Sequence, residues 1–180
     1  MNKQKVITIY KTFGLQLIER GIKFLKTAFH LKLKQTTRTS IQLLLLNKEV
    51  PSSKILFADG TYFFTDIETM RDIIKFDWTD KAKYVKAWND CDDFALRFKS
   101  HMQERYGITA VGLARSVDLK DIETGKHIAY HRANVFIADE DNIMKFWFLE
   151  PQTDKIVEIK NYDELINLTG WLNKLNLFDF

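Results

Sequence analysis

Ile9, Phe13, Leu17, Ile18, Ile22, Leu25 and Phe29 recur at three- and four-residue spacing, the period of one face of an α-helix. Lys11, Arg20, Lys23 and Lys26 fall mostly between them. The pattern predicts a basic amphipathic helix within residues 6–33. Such a helix either packs on a core with its cationic face in water, or lies on a membrane surface or against nucleic-acid phosphate. Residues 35–40 are polar and read as a link. Ile41 to Leu46 is a short apolar run, either a buried helical turn or a strand, and Pro51-Ser52-Ser53 punctuates it.

Beyond this point the pattern alternates between helical and strand-like. Ala58-Asp59-Gly60 is a turn signal. Thr65 or Asp66 can cap a helix through Ile74, and Thr79 or Asp80 a short one through Trp88. The clearest helix runs from Asp90 to about Tyr106, with Gly107 where a terminal glycine belongs. Strand-like runs follow at Thr109 to Ser116, Ile128 to Ala138, Asn142 to Glu150 and Lys155 to Ile159. A turn within residues 138–142 makes two of them a hairpin, with Ile137 roughly opposite Ile143. Tyr162 to Leu168 reads as a short helix before the apolar tail Trp171 to Phe180.

Composition narrows the class. The chain has 180 residues, 46% of them hydrophobic, and only 2 Pro and 7 Gly. That suits one globular domain rather than a disordered chain. No secretory signal or membrane-spanning stretch stands out, which points to a cytoplasmic or virion-associated protein. The net charge of +3 hides an asymmetry: residues 1–50 carry +8 and residues 51–180 carry −5. We therefore expect a basic arm, residues 1–50, and an acidic body, residues 51–180. The arm would dock on that body, nucleic acid, another anionic surface or a partner protein.

With one cysteine no intramolecular disulfide can form. A lone cysteine is often just a small hydrophobe, but the neighbours of Cys91 suggest more. Asn89 or Asp90 is a good helix cap, which puts Cys91 in the first turn. Free N–H groups and the positive dipole end there favour a thiolate. Phe94, Ala95, Phe98 and Met102 would fix that helix in the core. His131 aligns with Ala133, Val135 and Ile137 on one strand face. Of the other histidines, His30 lies in the arm, His101 is three helical turns from Cys91, and His127 falls in a loop. Hairpin pairing brings His131 beside Leu149 or Glu150, and a carboxylate beside an imidazole orients it and stabilises its cation. Each residue also has a plainer reading: His131 as a core or edge histidine, Glu150 as a strand-end residue at the solvent boundary.

The segments Asp90-Cys91-Asp92-Asp93-Phe94-Ala95, His131-x-x-Asn134-Val135 and Glu150-Pro151-Gln152-Thr153 together resemble the calcium-dependent cysteine-protease domain of the Marasmius-type fungal agglutinins. Related small proteins occur in bacteriophages. The resemblance runs from about residue 56 to 160. It implies an α+β, papain/transglutaminase-like fold with a nucleophile helix on an antiparallel sheet. It implies a Cys91–His131–Glu150 triad acting on a peptide or protein amide, as hydrolase or acyl transferase. It also implies calcium or manganese at Asp92 and Asp93, with Gln152 as a further oxygen ligand, a donor set that suits hard cations. Without the metal, Asp92 and Asp93 read simply as dipole-favoured acids of a first turn. Arg132 departs from the family pattern, where a small residue is frequent after the histidine. The rival expectation is a catalytically silent protein of the same fold, such as a phage particle component, with the basic arm as its working part.

Overall fold

The computed structural model describes residues 3–85, 90–116, 119–120, 127–129, 131–163 and 175–180. The opening pattern becomes one long helix, α1 (Lys3–Ala28). Its C-terminal end packs on the body, where the Phe29 ring meets Phe76 and Tyr106 edge-on at 5.4 and 5.9 Å between centroids. Further back, Leu15, Leu17, Ile18 and Phe24 stay exposed. No helix among the described residues is long and apolar enough to cross a membrane.

The segment expected as a link is a strand, β1 (Lys34–Thr37). It pairs antiparallel with β3 (Thr61–Phe64), Lys34 opposite Phe64 and Thr37 opposite Thr61. Thr36 is its one buried side chain, so alternation gives no visible signal and the backbone ladder defines the strand. Thr37 then caps α2 (Arg38–Asn47), accepting the Ser40 backbone N–H at 3.2 Å. Ile41, Leu45 and Val50 are fully buried in one cluster with Tyr62, Val135, Phe146 and Phe180. Each such burial contributes about 1.5–3 kcal/mol. The boundary expected at residue 50 therefore cuts through a shared core, and residues 34–50 pack with the body.

Among the described residues the main sheet runs β2 (Ile55–Leu56), β10 (Leu175–Asp179), β4 (Val111–Ser116), β7 (Arg132–Glu140), β8 (Ile143–Glu150), β9 (Lys155–Glu158). The β2–β10 pair is parallel and the others antiparallel. A separate pair joins β5 (Leu119–Lys120) to β6 (His127–Ala129). Strand β7 is covered on both faces, which is why Val135 to Ala138 is an unbroken apolar run. Ala133, Val135 and Ile137 face the cluster holding α2. Phe136 and Ala138 face the cluster holding α3 (Ile67–Phe76) and α4 (Cys91–His101).

The β7–β8 hairpin differs in register from the expectation. Ile137 pairs with Phe146, and Glu140 with Ile143. The turn is the two residues Asp141 and Asn142, at φ +54° and +63°, a left-handed pair that Asp and Asn tolerate and that matches strand twist. Asp66 caps α3, accepting from Thr69 N at 2.8 Å. Thr79–Lys81 forms a 3-10 turn; Trp88, the expected end of a helix there, lies outside the described residues. Helix α4 continues through a π-helical turn, Met102–Tyr106, and stops at Gly107 with φ +74°. Residues 162 and 163 are helical, while Leu168 and Trp171 lie outside the described residues. The architecture is mixed α+β, with α3 and α4 on one face of the sheet and α2 on the other.

Candidate active site

The turn that carries Cys91 is set by its cap. Asp90 stands in extended backbone before α4 and its Oδ1 accepts the Asp92 N–H at 3.2 Å. Asp93 reaches back to the Asp90 N–H at 3.2 Å, closing a capping box. A cap of this kind contributes about 1 kcal/mol. Asn89, the alternative cap, lies outside the described residues. Buried Phe94, Ala95 and Phe98 anchor the helix. Cys91 thus occupies the first turn, 9% exposed, at the end where helix N–H groups and the dipole favour negative charge on sulfur.

The second half comes from the sheet. His131 stands just before β7, so strand alternation does not fix its direction. The face of β7 that packs with α4 is not the one His131 was expected to share; it is the face of Asn134 and Phe136. Asn134 is fully buried and donates to Ala95 O at 3.0 Å and Gly112 O at 3.4 Å, tying β7 to α4 and β4. An amide inside an apolar strand was the sequence signal for this clamp, and it went unread.

His131 Nε2 lies 2.7 Å from Glu150 Oε2. Glu150 ends β8, and its Oε1 accepts the Gln152 backbone N–H at 3.3 Å, which steadies the carboxylate. His131 also hydrogen-bonds the Cys91 side chain. Burial of the ring works against its charge, but the bonds and charges of Cys91 and Glu150 outweigh it, and the pKa is held up at about 9. At neutral pH the ring is therefore a cation set between two acids. Cys91, His131 and Glu150 come together in one contact chain.

The expected metal ligands are arranged differently. Asp93 is engaged in the cap. Asp92 Oδ2 pairs with Arg132 Nη1 at 3.0 Å, and its Oδ1 accepts from Cys91 Sγ at 3.7 Å. Gln152 contributes its backbone N–H to Glu150. Among the described residues, the group compact enough to hold an ion is Asp90, Cys91 and Asp92, and two of these three are the cap and the thiol. A divalent ion bound through Asp92 would have to compete with the Arg132 guanidinium. The ion pair of Arg132 with Asp92 is a second feature that sequence reasoning missed; its only signal was a large cation where the resembled family has a small residue.

No protein-family model and no curated protein matches the chain. Several solved structures share its fold, among them the following two. One is PSL1a in complex with E64, at TM-score 0.58 and 19% identity, over 81% of this chain and 51% of that one. The other is Polyporus squamosus lectin bound to the human-type influenza-binding epitope Neu5Acα2-6Galβ1-4GlcNAc, at TM-score 0.58 and 18% identity, over 81% of this chain and 49% of that one. The chain thus spans about half the length of the structures it matches, and at these identities the likeness is one of fold.

Proposed function

We propose that this chain is a papain-like thiol hydrolase acting on peptide or isopeptide amides. The observation that carries the reading is the contact chain from Cys91, at a capped helix N-terminus, through His131 to Glu150. In this scheme the Cys91 thiol proton already resides on His131, so the pair rests as thiolate and imidazolium. The sulfur attacks the amide carbonyl, and the Cys91 backbone N–H helps hold the oxyanion. His131 then gives its proton to the leaving amine, so the C–N bond breaks as a thioester remains. Water, deprotonated by His131, cleaves the thioester and restores the thiolate. An amine in place of water gives acyl transfer with the same residues. Glu150 orients the ring throughout.

The second reading is a catalytically silent scaffold of the same fold. It draws on the burial of Cys91 and on the Asp92 carboxylate beside its sulfur. E64, the compound in the PSL1a complex, carries an epoxide that a nucleophilic thiolate opens, so it separates the two readings. Excess E64 should add one adduct by intact mass, mapped to Cys91. A peptide mixture should be cleaved by the wild type and left whole by Cys91→Ala. No adduct after prolonged exposure, with no cleavage, would overturn the hydrolase reading.

A further inference from the structure

Asp92 follows the nucleophile on α4, and Arg132 follows the base at the start of β7. Their ion pair at 3.0 Å therefore bridges the two backbone segments that must meet for Cys91 and His131 to touch. The charged groups around the thiol include Asp90, Asp92 and Asp93 from its own helix and cap, His131 and Arg132 from the sheet side, and Glu150 at the end of β8. Asp80 and Lys81, on the turn packed against α4, pair with each other. The cap absorbs Asp90 and Asp93. Asp92 is left beside the sulfur, where a carboxylate opposes negative charge. Arg132 answers it.

On the thiol-hydrolase reading, we propose that Arg132 is a positioning residue: through Asp92 its guanidinium holds the nucleophile turn against the base-bearing segment and cancels a carboxylate charge beside the sulfur, the place that the family resemblance gives to a divalent cation. The pair is partly exposed on both sides, so it adds little to folding stability. Its effect belongs to reactivity.

The single cysteine makes iodoacetamide labelling of the full chain a readout of Cys91 alone. Arg132→Gln should slow labelling about tenfold at neutral pH, with the melting temperature nearly unchanged. Arg132→Lys should recover most of the rate, and adding Asp92→Asn to Arg132→Gln should recover part of it. The wild-type rate should be the same in chelator and in millimolar calcium. Arg132→Gln labelling as fast as wild type would overturn the proposal. So would a several-fold rise of the wild-type rate in calcium, which would return the place to a metal. A wild type that labels no faster than its urea-unfolded chain would defeat the hydrolase reading instead, and the ratio of Arg132→Gln to wild type would still decide the role of Arg132.

Discussion

Helix α4 meets a histidine–carboxylate pair at each end, and the two ends do different things. At the N-terminal end His131 binds Glu150 at 2.7 Å and also hydrogen-bonds the Cys91 side chain. At the C-terminal end His101 Nδ1 lies 2.6 Å from Asp77 Oδ2, but its Nε2 faces an Arg105 Nη2 at 3.0 Å. A guanidinium has no acceptor, so Nε2 of His101 must accept and Nδ1 must carry the proton toward Asp77. Asp77 is 1% exposed and also takes the Thr79 N–H and hydroxyl. That end is a closed lock between the turn at residues 79–81 and the helix. What distinguishes the two pairs is therefore the ring's further partner, a thiol side chain at one end and a guanidinium at the other.

The largest expected effect tests the N-terminal end. Cys91→Ala should abolish amide hydrolysis, and His131→Ala should lower it by about 10²- to 10⁴-fold, both with native circular dichroism. The next strikes the C-terminal end. Asp77→Ala should destabilise the fold by about 2–4 kcal/mol in urea titration, because it strips the partner from buried donors, while Cys91 labelling in the folded protein stays at the wild-type rate. A drop in both would merge the two ends into one functional unit.

A smaller change sharpens the electrostatics. Because the folded pKa of His131 is raised from 6.5 to about 9, its contribution to stability is complete below pH 6.5 and fades as pH rises to about 9. Glu150→Gln should flatten that decline in melting temperature between pH 6 and pH 9 and slow hydrolysis about tenfold. The smallest effect returns to the far end. Burial, then the charge of Asp80, lift the Asp154 pKa from 3.8 to about 6, against Lys81. The folded state thus holds that proton more tightly than the unfolded one, and the stability it brings is lost as pH rises from 3.8 through 6. Asp154→Asn should raise the melting temperature at pH 7 by about 1–2 °C and leave that at pH 4 nearly unchanged.

Much of this was legible where local chemistry decides. Gly107 as a left-handed stop and the strands β4, β7, β8 and β9 follow from side-chain type and spacing, which also narrow the two helix caps to Thr65 or Asp66 and to Asn89 or Asp90. Strand β1 was not legible, because a polar strand with one inward residue carries no alternation. The hairpin register was three residues out, because it depends on which two residues take positive φ, and residues 138–142 offer several candidates. The π-helical turn at Met102–Tyr106 sits inside an ordinary helical pattern. His131 reached the thiol from outside the strand rather than along the expected face. The Arg132–Asp92 pair joins residues 40 positions apart, and nothing local announces it.

The central claim is that His131, and not merely a helix terminus, makes Cys91 a nucleophile. It is tested most directly by iodoacetamide labelling of Cys91 at pH 7 in the wild type, His131→Ala and His101→Ala, side by side. The account predicts that His131→Ala falls at least about tenfold below wild type while His101→Ala, if folded, keeps the wild-type rate. Equal rates in wild type and His131→Ala would contradict it.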